Sequence, residues 1–73
     1  MDVYIIYKHD GYPVDKDSAR IIGIFENEED ALKAVRYHYD VTEPDVEWDG
    51  FLLFKIGYEP ITIEPYPFNK FMP

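Results

Sequence analysis

Seventy-three residues make one domain, and a chain of this length buries only about 60% of its unfolded surface, which leaves a core with little to spare. There is no cysteine, which excludes a disulfide staple and a thiolate metal site, and two histidines fill at most half of a tetrahedral metal shell. Fifteen acids against seven bases give a net charge of −8, which disfavours DNA, RNA and anionic membranes as direct partners.

Residues 2–9, DVYIIYKH, alternate with apolar side chains at both parities and predict a strand well inside a sheet. Residues 10–18, DGYPVDKDS, have turn chemistry and are long for a hairpin loop. Residues 19–25, ARIIGIF, predict a second strand, with Gly23 marking a bulge or a close backbone approach.

Asn27 is a good helix N-cap, and Glu28, Glu29 and Asp30 fill a first turn where carboxylates meet the positive end of the helix dipole. Ala31, Leu32, Ala34, Val35, His38 and Tyr39 then recur at helical spacing as one apolar stripe. His38 reads as half-buried at its end. Pro44 bars further helix.

Residues 51–57, FLLFKIG, predict a third strand, with a start as early as Asp45 as the alternative. Residues 61–64 predict a short fourth strand, placed at an edge because Pro60 and Pro65 flank it. Residues 65–73, PYPFNKFMP, read as an extended Pro- and aromatic-rich strap. The expectation is therefore an α+β domain over residues 1–64. It has an antiparallel sheet of about four strands, element order β-β-α-β-β, one helix on one face, and the strap at 65–73. Tyr4, Tyr7, Tyr58 and Tyr66 are expected to leave the other face aromatic, which suits a partner or a second copy.

The densest chemistry lies in residues 40–49, DVTEPDVEWD. Asp40, Glu43, Asp45, Glu47 and Asp49 fall there with no Lys or Arg among them. On an extended chain Asp45, Glu47 and Asp49 share one face at spacings of about 6.7 Å, with Val46 and Trp48 on the other. Such a row suits an Arg- or Lys-lined groove, with its carboxylates in place of phosphates. Glu26, Glu28, Glu29 and Asp30 form a second acidic cluster, read first as helix capping. Trp48 reads first as a cap on the core, and second as an anchor in a partner's surface.

Two other chemistries are weighed on the same residues. Residues 45–50 copy the first half of a calcium loop, but Ile56 stands where its bidentate Glu belongs, so neither a metal nor a cofactor is expected. A nucleophilic site has no Cys, and Ser18 sits in a turn. His38 and Asp40 are two apart and do not face each other on a helix. The chain reads as a non-enzyme.

The VYIIY strand, then IIGIF running at once into NEEDALKAV, resembles small uncharacterised phage and prophage domains over residues 3–35. The Pro-rich end from Pro60 departs from that pattern. The resemblance implies a small accessory protein. By analogy of size and charge it implies an anti-defence role, like anti-CRISPR proteins and DNA mimics. The expected partner is a basic protein surface, such as that of a nuclease or another nucleic-acid-binding protein of the host. The alternative is a homodimeric assembly module held by the aromatic face and the tail. No apolar run approaches a membrane span and no signal peptide opens the chain, so the expected compartment is the cytoplasm, that of the host if phage-encoded.

Overall fold

The computed structural model describes residues 2–12, 14 and 16–67 of the chain. Strand β1 (Asp2–His9), apolar at both parities, has a neighbour on each edge. β2 (Ala19–Phe25) pairs on one side and β5 (Ile61–Pro67) on the other, both antiparallel. A short 3-10 turn, Lys16–Ser18, leads into β2. The helix α1 (Glu28–Tyr39) then connects β2 to a hairpin of β3 (Val46–Trp48) and β4 (Phe51–Phe54). The strands lie in the order β2-β1-β5-β4-β3.

The domain is α+β with one helix on an antiparallel sheet, but the sheet has five strands where about four are expected. The run from Asp45 is not one strand. Asp49 and Gly50 have φ of 49° and 84°, the left-handed backbone that a two-residue hairpin turn demands at both positions. The chain reverses there, and Val46, Glu47 and Trp48 pair with Leu53, Leu52 and Phe51.

The last strand also departs from expectation: β5 lies between β1 and β4, not at an edge. The phase of its hydrogen bonds explains why its prolines are tolerated. His9 donates its backbone N–H to the Pro60 carbonyl at 2.9 Å, and pairs that are hydrogen-bonded to β1 alternate from there. Pro65 and Pro67 fall on the intervening pairs, so their imide nitrogens point away from β1. On that side β4 has already given way to the hairpin turn, and no ladder bond is lost. Gly50 stands opposite, where a Cβ would come within 3.3 Å of Pro65 Cγ. Residues 65–67 thus continue the strand where the strap was expected to begin, and 68–73 lie outside the described residues.

The core forms between α1 and one face of the sheet. Ile6, Ile63 and Leu52 are register partners across β1, β5 and β4, and Ile61 pairs with Phe54 beside them. Ala31 and Val35 of α1 pack on this layer, all seven side chains being buried. The glycine in β2 lets the helix side close tightly. A Cβ on Gly23 would meet Phe25 Cε2 at 3.1 Å and Ile6 Cδ1 at 3.3 Å. Asn27 caps the helix as expected, its Oδ1 accepting the Asp30 N–H at 2.9 Å. The helix ends at Asp40, φ 52°, whose N–H donates to the Arg36 carbonyl at 3.1 Å.

His38 is exposed, not half-buried. Tyr39 is the partly buried residue of that last turn, and the His38 ring stands edge-on to Tyr37 at 5.4 Å. The tyrosines do not form one face either: Tyr4 packs against the core, Tyr58 is in a turn, and Tyr7 and Tyr66 have the opposite parity. That opposite face carries the row Ile21, Tyr7, Thr62, Leu53, Val46. Near its middle His9 is buried, with Nε2 2.8 Å from Thr62 Oγ1.

Candidate partner-binding surface

The Asp49-Gly50 turn decides where the acidic segment points. It leaves Val46–Trp48 as the outermost strand, paired on one side only. Alternation then sends Glu47 to the helix side of the sheet and Val46 and Trp48 to the other. Cross-strand pairs put Trp48 beside Phe51 and Val46 beside Leu53, an apolar platform on the hairpin's open side. Trp48 is 77% exposed. The expected cap on the core is therefore not its place; β3 is too far to the edge for its outward side chain to reach the helix. Trp48, Asp49 and Phe51 frame a shallow concavity of about 260 Å³.

The acids separate by position. Asp45 precedes the strand, its N–H donating to the Leu53 carbonyl at 2.8 Å and its carboxylate accepting the Lys55 N–H at 2.7 Å. This carboxylate closes the open end of the hairpin. Asp49 lies in the turn, and only Glu47 lies within the strand. The straight row of three expected from an extended chain is thus broken at both ends. Asp40 caps the helix C-terminus in the left-handed region.

The two acidic clusters nevertheless meet at one place. Glu28 of the helix turn, Glu43 of the loop and Glu47 of β3 line one concavity of about 280 Å³, floored by Leu32, Pro44 and Leu52. Arg36 lines it as well, its Nε donating to the Thr42 carbonyl at 2.7 Å, which holds the loop to the helix. Three carboxylates around one guanidinium leave a local excess of negative charge. The rest of the second cluster is engaged locally. Glu29 pairs with Lys33 at 3.7 Å, the Asp30 carboxylate accepts from Asn27 Nδ2 at 3.1 Å, and Glu26 is exposed after β2.

Among the described residues no group of three or more His, Cys, Asp or Glu side chains is placed to hold a metal ion. Ile56, at the calcium-loop position of the bidentate Glu, is partly buried against the core. No described helix is long and apolar enough to cross a membrane. Charge-based reading passes over Phe51 and Leu53, the inner half of the platform. The signal for them is Asp-Gly between two alternating runs. No protein-family model, curated protein or solved structure matches the chain.

Proposed function

We propose that this protein is a non-enzymatic binding module that docks its β3–β4 hairpin on a basic protein surface and blocks it. Trp48 is the anchor, Val46, Phe51 and Leu53 are the platform around it, and the charged rim is Asp49 in the turn beside them with Glu43 and Glu47 on the helix side of the same edge. The observation that carries the reading is Trp48, a large aromatic side chain 77% exposed on an outer strand with acidic neighbours on both sides. Aromatic anchors inside a polar rim dominate binding energy at protein interfaces. Carboxylates near the rim act mainly on orientation and on the rate of encounter. A net charge of −8 steers the chain toward a cationic partner. In its finer form, the blocked surface is the nucleic-acid groove of a host defence nuclease and the protein is phage-encoded. The acidity and the VYIIY…NEEDALKAV resemblance support that form.

The test is capture of host proteins on the immobilised chain at about 50 mM and about 500 mM salt, where the screening length falls severalfold. Wild type is expected to retain a basic protein at low salt and release it at high salt. Trp48→Ala, and the triple variant Glu43→Gln, Glu47→Gln, Asp49→Asn, are each expected to lose it. Equal low-salt retention by the triple variant would overturn the role of the rim.

A further inference from the structure

The far edge of the sheet carries a second surface. β2 is an outer strand of seven residues whose neighbour is β1. Outer strands are normally blunted by shortness, proline or charge, because unpaired main-chain groups invite a further strand. β3 follows that rule, with three residues, Glu47 at its centre and Asp45 and Asp49 just outside it. β2 does not. It holds neither proline nor carboxylate, and Ile21, Ile22 and Ile24 are 54%, 42% and 59% exposed. Beside it, Ile6, Ile22, Phe25, Val35, His38 and Tyr39 line a mostly apolar groove of about 370 Å³ between β2 and α1.

We propose that this edge is closed by a second copy of the chain, β2 against β2 in antiparallel sense about a two-fold axis. The charges around the strand identify the occupant. Arg20 stands near its start, and Glu26 follows its end, with Glu28, Glu29 and Asp30 just beyond. An antiparallel partner brings each start beside the other's end, so Arg20 of one copy meets the acidic end of the other, twice by symmetry. A parallel partner sets like charge on like charge. Gly23, near the middle, keeps side-chain bulk away from the axis. A bulge limits the main-chain ladder: Ile6 pairs with Gly23 and Tyr7 with Ile21, which leaves Ile22 out of register. Isoleucine contacts and the groove, which takes an apolar side chain of the facing strand, therefore share the binding with the backbone. The opposite edge, with Trp48, stays free in the pair.

Sedimentation of the full chain at about 100 μM, where a micromolar contact is saturated, tests this. The expected mass is that of a dimer. Arg20→Glu and Glu26→Arg are each expected to weaken it about tenfold, and the double variant to restore it, since reversing both signs preserves the attraction. Ile24→Lys is expected to yield a monomer with an unchanged helical spectrum, while Trp48→Ala stays dimeric. A monomeric wild type at this concentration overturns the proposal. So does a dimer insensitive to both single charge reversals, or one that dissolves with Trp48→Ala and survives Ile24→Lys. None of these results alters the hairpin reading, which rests on the other edge.

Discussion

Trp48 and Phe54 show how position in one hairpin sets what an aromatic ring contributes. Phe54 is 1% exposed, in contact with the helix-side core, whereas Trp48 keeps 77% of its surface in water. Truncating a buried Phe costs about 3–5 kcal/mol, from lost transfer energy and the cavity left behind. Truncating an exposed side chain changes stability by about 0.5 kcal/mol or less. Thermal melts of Phe54→Ala and Trp48→Ala are therefore expected to diverge widely. Phe54→Ala loses much of its cooperative transition, and Trp48→Ala melts close to wild type. If Trp48→Ala also loses several kcal/mol, the ring is serving the fold and not a partner. A ring of this size buries about 200 Å² when covered, so docking the exposed part gains about 3–4 kcal/mol.

At the scale of elements, the β3–β4 hairpin depends on its turn. Gly50 has φ 84° and faces Pro65, so Gly50→Ala meets both left-handed backbone strain and a contact of 3.3 Å. The strain alone is worth about 1–2 kcal/mol. In a domain of this size that lowers the melting temperature by about 5–15 °C, measurable by circular dichroism. The helix was the most legible element, because Asn27, the acidic first turn and the Ala31/Val35 spacing all act within one or two turns of chain. The sheet was less so. Prolines at 60 and 65 point to an edge strand by the general rule, yet β5 is central, because Pro60 stands just before the strand and the imide nitrogen of Pro65 faces away from β1, a side set by the pairing with β1. The candidate site was legible as residue types but not as an arrangement. Alternation places Val46 and Trp48 opposite Glu47, but the meeting of Glu28 with Glu43 and Glu47 is a tertiary contact that no spacing encodes.

For the whole molecule, the excess of fifteen acids over seven bases means that folding gathers like charges. Native domains retain only about 0.05–0.15 kcal/mol per residue, so self-repulsion is a real fraction of the total. Salt is expected to raise the urea midpoint as screening relieves it, while weakening any complex with a cationic partner. Both trends come from one pair of titrations, and a midpoint that falls with added salt would show that attractive pairs such as Lys8–Glu59, at 3.6 Å, dominate instead. The strand order has a further consequence for folding. β5, the last of the described strands in chain order, is the middle one of the sheet. Until β5 docks, the β1–β2 pair and the β3–β4 hairpin have no sheet contact with each other, and the edges of β1 and β4 that it covers stand open. Its docking closes both edges at once and joins the two halves in a single step.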